Sequence, residues 1–265
     1  MLPVSSFPVS EAREVRFVLT DIDDTLTDGG KLPLASYRAL WQLSEAGFHV
    51  IPVTGRPAGW CDLISRHWPV AAVIGENGAF ALTMEGETQE ILYHPLAPEP
   101  DENARRLSGI AEEVFRRVPG TRIAKDQFCR RFDIAIDFRE EPPFLSLDAA
   151  ERIREIFVSH GAQAKISSIH VNAWFGDYDK RSMAEFTLRS RFGLDVTGEA
   201  ANRCCLYCGD SPNDEPMFDR FLHSVGVANI REFEGALEYP PRYVTDAPAS
   251  AGFAELATIL LRSRE

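Results

Sequence analysis

Residues 19–30 read LTDIDDTLTDGG and follow directly on an apolar run, Val-Arg-Phe-Val-Leu, at residues 15–19. Asp21, Asp23, Asp24 and Asp28 therefore crowd the end of a buried strand. Aspartate is a poor strand former, and clustered carboxylates are unstable unless something positive sits among them. In an open parallel sheet, ligands bind beyond the carboxyl ends of the strands, where the strand order reverses. An acidic cluster at such an end reads as a site rather than as a strand.

The surrounding sequence supplies the sheet. After the strand VRFVLT come a helix-period stretch LPLASYRALWQLSEAG, a strand HVIPV, a second helix RPAGWCDLISRHW opened by Pro57, and a strand VAAVIG. Strand, helix, strand, helix, strand implies right-handed crossovers and a parallel sheet. AFALT and TQEILY, separated by MEGE, read as a hairpin. Prolines 95, 98 and 100 then mark a linker. Beyond it the pattern is helix-strand-strand twice over: ARRLSGIAEEVFRRV, TRIAKD and RRFDIAIDF, then LDAAERIREIFVSHG, AQAKIS and IHVNAWF. This predicts a small antiparallel sheet carrying two helices, inserted at residues 95–174. The parallel theme resumes with the helix KRSMAEFTLRSRFG, the strand RCCLYCG, the helix NDEPMFDRFL, the strands SVGVA and RYVT, and a closing helix GFAELATILLRS. Residues 1–94 and 175–265 thus form one α/β core, and the first sixteen residues read as a loose arm.

Three further groups fall at strand ends: Thr54-Gly55-Arg56, Glu76-Asn77-Gly78 and Asp210-Ser211-Pro212-Asn213-Asp214. If their strands are neighbours, all four loops converge on one crevice. A hard divalent cation with oxygen ligands is the simplest neutraliser of the carboxylates, and Mg²⁺ is the usual ion where phosphate is the substrate. An aspartate left over could attack, and another could shuttle a proton. Lys180 and Thr54 supply what a phosphoryl group needs, a point charge and a hydroxyl donor. Taken singly, each piece is an ordinary turn, cap or solvated residue; the informative feature is their ordered conjunction.

In that order the motifs resemble the haloacid dehalogenase superfamily of phosphohydrolases, subclass IIB. DIDDTLT, VTGRP, Lys180 in YDKRSMAEF, and GDSPNDEPMF match its four motifs, and IGENGA, VGVAN and YVTDAPASAGF match stretches typical of the subclass. The resemblance covers nearly the whole chain. It implies a Rossmann-like parallel-sheet core with an inserted α+β cap of order αββαββ. It implies Asp21 as nucleophile, forming an aspartyl-phosphate, and Asp23 as acid and base. Mg²⁺ would be held by the Asp21 and Asp210 carboxylates and the Asp23 carbonyl, with Asp214 holding a metal-bound water or orienting the ligands and Asn213 in support. Thr54, the Gly55 amide and Lys180 would bind the phosphoryl oxygens, with Arg56 and Asn77 facing the leaving group. The implied substrate is a small phosphorylated metabolite, a sugar phosphate or a glycosyl-phosphoglycerate, chosen by the cap. Lys125, Arg130, Arg131 and His170 are the cap candidates for a second contact.

Two rival readings share these residues: a phosphomutase of the same fold, and a noncatalytic domain that binds phosphate and Mg²⁺. Other classes are disfavoured. A net charge of −12 argues against nonspecific nucleic-acid binding. No stretch approaches the roughly 18 apolar residues of a membrane span. The start lacks a basic segment followed by an apolar one, so it is not a secretory signal. Cys205 and Cys208 form a CxxC, but on a strand they point to opposite faces, and no second pair offers metal spacing. They read as reduced thiols of a cytoplasmic protein, a monomer or homodimer.

Overall fold

In the computed structural model, which describes residues 1–167 and 169–265, the chain forms β1 (Leu2–Pro3), α1 (Val9–Glu14), β2 (Phe17–Thr20), α2 (Leu34–Glu45), β3 (His49–Pro52), α3 (Ala58–His67), β4 (Val73–Gly75), β5 (Phe80–Glu85) and β6 (Thr88–Tyr93). Next come α4 (Pro100–Arg117), β7 (Arg122–Ile123), β8 (Asp133–Asp137), α5 (Leu147–Ser159), β9 (Gln163–Ile166) and β10 (His170–Trp174). The remainder is α6 (Lys180–Phe192), α7 (Glu199–Asn202), β11 (Cys205–Gly209), α8 (Glu215–Arg220), β12 (His223–Gly226), β13 (Tyr243–Val244) and α9 (Ala249–Arg262).

The large sheet has the order β1-β13-β12-β11-β2-β3, and every pair in it is parallel. A parallel bridge from Val53 to Ile74 continues it to β4, whose antiparallel neighbours are β5 and then β6. The chain leaves β2 toward β3 and β4 on one side, and later returns on the other side as β11, β12 and β13. Strand order therefore reverses at β2, and the crevice opens where Asp21 begins. Helices cover both faces. Phe17 and Leu19 pack into one apolar layer and Val18 into the other, which is why this strand reads as continuously apolar.

A separate antiparallel sheet of order β7-β8-β10-β9 lies wholly within residues 95–174. Its strands alternate. Ile134, Ile136, Val171 and Ala173 pack on α4 and α5 in a core of their own, while Asp133, Asp137, His170 and Asn172 occupy the opposite face. Those four polar side chains are nonetheless buried: Asp133 and Asn172 stand close to the core loops, while Asp137 is covered by Arg122 and His170 by Glu140. Phe132 and Trp174, at the base of this sheet, join the apolar layer of the core.

Three local expectations are corrected. The first sixteen residues are not a loose arm: β1 pairs with β13, and Val4 and Phe7 are buried. Phe7 meets His223 and Tyr243 edge-on, at centroid distances of 5.3 and 5.0 Å. The apolar side chains at positions 4 and 7 anchor the segment where sequence polarity suggested none. TRIAKD forms a strand only at Arg122–Ile123, after which Lys125–Cys129 is a 3-10 turn. NDEPMFDRFL divides into a 3-10 turn, Pro212–Asp214, and the short α8 ending at Arg220. Cys205 and Cys208 are buried free thiols in different apolar layers, on opposite faces of β11. No helix among the described residues is long and apolar enough to cross a membrane.

Candidate active site

Four strand-end loops meet because β11, β2, β3 and β4 are consecutive in the sheet. The loop after β2 carries Asp21 and Asp23, that after β3 carries Thr54 to Arg56, that after β4 carries Glu76 to Gly78, and that after β11 carries Asp210 to Asp214. The fifth contributor is α6. Its N-cap Asp179 and Ser182 bond each other's backbone amides reciprocally, fixing the helix start. Lys180 is the first helical residue, and its ammonium is delivered into the crevice.

The Lys180 Nζ donates to Asp21 Oδ1 at 2.7 Å and to Asp214 Oδ1 at 2.8 Å. All three residues are buried. Burial would lower the lysine pKa, but the Asp21 and Asp214 carboxylates outweigh it and hold the ammonium above its usual range. Asp21 is pushed up to about 7, chiefly by burial; Lys180 opposes the shift, and Asp214 and Asp23 add to it. Burial, with Asp214 and Asp21 alongside, raises Asp210 well above the carboxylate range.

The carboxylates are not equivalent. Asp214 has every lone-pair site taken: Oδ1 accepts from Lys180 and the Tyr207 hydroxyl, and Oδ2 from the amides of Asp210 and Ser211. Any Cβ at position 209 would stand 2.5 Å from Asp214 Oδ2, so the loop needs Gly209. Asp214 is thereby an orienting group. Asp21 has one oxygen on Lys180 and the other without a hydrogen-bond donor among the described residues. Asp210 Oδ2 accepts from Asn229 Nδ2 at 3.1 Å, and Asn229 also donates to the Asp24 carbonyl. Asp21, Asp210 and Asp214 each offer an oxygen within 4.8 Å of one another. With Asp214 occupied, the Asp21 and Asp210 oxygens remain as hard donors that fit a hard divalent cation, and Asp214 stands beside them as the group that orients the loop.

Around them opens a cleft of about 1080 Å³, lined on the core side by Asp21, Asp23, Gly55, Arg56, Asn77, Asp210 and Asn213. Its opposite wall is the polar face of the small sheet, with Lys165, Ser167, His170 and Asn172, and Arg139 just beyond β8. Thr54 is fully buried beneath this surface, its Oγ1 accepting the Arg56 amide at 3.0 Å. Asn213 sits at the rim, where its Oδ1 accepts from the Ser211 hydroxyl. Arg56 does not reach into open space. It grips Asp23 through Nε and Nη2 at 2.9 and 2.7 Å and lies 4.4 Å over the Trp60 ring. Asn77 holds a left-handed φ of 57° and points Nδ2 at Asp133, 3.5 Å away.

The cap candidates divide. His170 lines the cleft, bonded to Glu140 at 2.8 Å. Arg130 also borders it, but its side chain is 1% exposed and clamped by Asp126 and Asp133, with Nη1 donating to the Gly55 carbonyl at 3.0 Å. Those bonds use the guanidinium to join elements, leaving little for a ligand. Lys125 is exposed and pairs with Glu141, and Arg131 lies against Tyr93; neither lines the cleft. Sequence reasoning missed Asp133, Asn172, Tyr207 and Asn229, and it placed Glu76 at a strand end without a role. The alternation in FDIAIDF and IHVNAWF puts 133, 170 and 172 on polar positions, but nothing local says that this face is buried.

A family model described as haloacid dehalogenase-like hydrolase matches residues 18–112, the stretch holding the Asp21, Thr54 and Asn77 loops. Over that stretch, about a third of the sequence, the chain is similar to these hydrolases. Among solved structures, the chain resembles the C-terminal domain of trehalose-6-phosphate phosphatase from C. albicans, with a TM-score of 0.72 at 14% identity over 99% of this chain and 98% of that one. Sucrose-phosphatase from Synechocystis, solved with sucrose and phosphate, gives 0.65 at 15% over 94% and 98%. A sugar phosphatase of haloacid dehalogenase subclass IIB gives 0.63 at 13% over 92% and 98%. At such identities the likeness carries the fold: a parallel-sheet core with an inserted α+β cap. No curated protein matches the chain in sequence.

Proposed function

We propose that the protein is a Mg²⁺-dependent phosphomonoesterase acting on a small phosphorylated sugar or glycosyl-phosphoglycerate, with residues 95–174 as cap over a core of 1–94 and 175–265. The observation that carries the reading is the Asp21 carboxylate: buried, held through one oxygen by Lys180, its other oxygen bordering the cleft.

In the proposed reaction that oxygen attacks phosphorus and the bond to the ester oxygen breaks, leaving an aspartyl-phosphate. Asp23 gives a proton to the departing alcohol. It then takes one from water, whose oxygen displaces Asp21 and releases inorganic phosphate. For this Asp23 exchanges its Arg56 partner for the reacting oxygen. Lys180, Thr54 and the Gly55 amide would hold the phosphoryl oxygens, whose negative charge needs fixed donors in a site screened from water. Mg²⁺ bound by Asp21, the Asp23 carbonyl and Asp210 would neutralise phosphate charge, with Asp214 and Asn213 orienting that loop. The polar wall of Lys165, Ser167, His170 and Asn172 suits a hydroxyl-rich leaving group. Among the described residues Arg139 and Lys165 have no carboxylate within ion-pair distance, which suits a second anionic group. Sugar phosphatases among the structural relatives support the same substrate class.

The test is phosphate release from a panel of sugar phosphates and glycosyl-phosphoglycerates, with Mg²⁺ or EDTA, for wild type and Asp21→Asn. Release that needs Mg²⁺ and vanishes in the variant is the expected result. Phosphate moved between sugar positions without release would instead make the enzyme a mutase. A fully active Asp21→Asn would overturn the nucleophile.

A further inference from the structure

The residue before Asn77 has no part in the chemistry above, yet it is among the most heavily bonded carboxylates in the molecule. Glu76 is fully buried. Its Oε1 accepts the amides of Ala58 and Arg131, both at 2.9 Å. Its Oε2 accepts those of Phe132 at 2.5 Å and Asp133 at 3.1 Å, and that of Arg131 again at 3.1 Å. Ala58 opens α3 in the core; residues 131–133 lead the chain into β8 of the cap. One carboxylate thus gathers four backbone donors from two parts of the molecule that no backbone ladder joins.

The backbone around Glu76 is held as firmly as its side chain. Glu76, Asn77 and Gly78 all have positive φ, at 44°, 57° and 110°, a costly run for residues with a Cβ that persists only when surroundings over-determine it. The Glu76 amide donates to the Arg56 carbonyl and the Asn77 amide to that of Thr54, each at 3.1 Å. A Cβ on Gly78 would collide with the Asp179 carbonyl, one residue before Lys180. The turn is wedged between the phosphate loop and the start of α6, so Glu76 has little freedom of its own. Asp133, held at its amide by Glu76, accepts from Asn172 at 2.9 Å and from Arg130. The entry to β8 and the cleft-facing Asn172 of β10 are therefore referred to the same point.

We infer that Glu76 is the positioning residue that seats the cap: its carboxylate sets where the polar face of the cap sheet stands over the catalytic carboxylates. Glu76 does not touch substrate. It acts through residues 131–133 on Asn172 and its neighbours, so its loss penalises esters whose leaving group must reach the cap face. It spares an ester too small to do so. The inference rests on the phosphatase reading for its activity measurement, and on geometry alone for its exchange measurement.

Glu76→Gln keeps the size of the side chain but turns an NH₂ toward amides that need an acceptor. Glu76→Asp keeps the charge but withdraws it by one methylene. In either variant, amide hydrogen exchange at Ala58, Arg131, Phe132 and Asp133 should accelerate by about tenfold or more, while exchange in β2 and β11 stays as in wild type. kcat/KM for the best sugar phosphate of the panel should fall by about ten- to a hundredfold, the scale of a small misplacement. That for methyl phosphate should stay within about twofold of wild type, since its leaving group makes no cap contact. In wild type the four amides should open together, with protection within about threefold of one another. Unchanged exchange at 131–133, or an equal loss on both esters, would overturn the inference. So would wild-type protection scattered over orders of magnitude, a result available even if neither variant folds. If wild type releases phosphate from neither ester, the phosphatase reading fails and the exchange results decide the seat by themselves.

Discussion

Replacing Lys180 by methionine keeps most of the side-chain volume and removes the one ammonium that bonds both Asp21 and Asp214, at 2.7 and 2.8 Å. Breaking a buried ion pair by deleting one partner costs about 3–5 kcal/mol, because the orphaned charge stays buried. The near-isosteric swap itself adds less than about 1.5 kcal/mol. The cost depends on pH in a definite direction. Asp21 is raised from 3.8 to about 7 in the folded chain, with burial the main cause. Between those values the folded state binds more protons than the unfolded state, so this group's contribution to stability falls as pH rises through the window. Without Lys180 its lowering influence is lost, and Asp21 keeps its proton to higher pH still. The deficit of Lys180→Met should thus be greatest above pH 7 and shrink as pH drops through the window, where a neutral Asp21 needs no counter-charge. The assay is urea unfolding followed by tryptophan fluorescence, in EDTA, at several pH values, comparing midpoints at unchanged slope. A deficit below about 1 kcal/mol above pH 7, or one that grows as pH falls, would refute the role of Lys180 as the buried counter-charge.

Three further outcomes follow from the same geometry. Mg²⁺ at about 100 times its dissociation constant should stabilise the wild type by about 2.7 kcal/mol, and Asp210→Asn should abolish that increment; thermal melts with and without the ion measure it. Arg130→Ala should cost about 3–5 kcal/mol in denaturant unfolding, since it strands Asp133, whose side chain is 0% exposed. Phe7→Ala should cost about 3–5 kcal/mol by opening a cavity against His223 and Tyr243. A loose amino-terminal arm would lose almost nothing.

Much of the architecture is written in local patterns. Apolar runs of four or five residues, helix-period stretches between them, and prolines 95, 98 and 100 before a helix-strand-strand repeat are enough to predict a parallel sheet and an inserted antiparallel one. The strand-end position of Asp21, Thr54, Asn77 and Asp210 follows from the same reading, because what places them is the residue next door. Lys180 is different: 159 residues separate it from Asp21, and only its match to a motif joins the two.

What tertiary structure alone decided are the partners. Sequence offered Arg56 to a leaving group and Arg130 to a substrate anion, yet one grips Asp23 and the other is clamped between Asp126, Asp133 and the Gly55 carbonyl. A guanidinium binds whichever carboxylate the fold brings within reach, and its neighbours in the chain do not say which. Glu76 stood in a strand-end group, but its partners had no local signal, since its bonds run to backbone amides that any residues at 58 and 131–133 would supply. The polar face of the cap sheet shows the alternation of an ordinary solvated strand; only contacts made in space, from Glu76 and Asn77 of the core to Asp133 and from Arg122 and Glu140 to Asp137 and His170, make it buried. Residue types and periods are properties of neighbours along the chain, whereas burial and pairing are properties of neighbours in space.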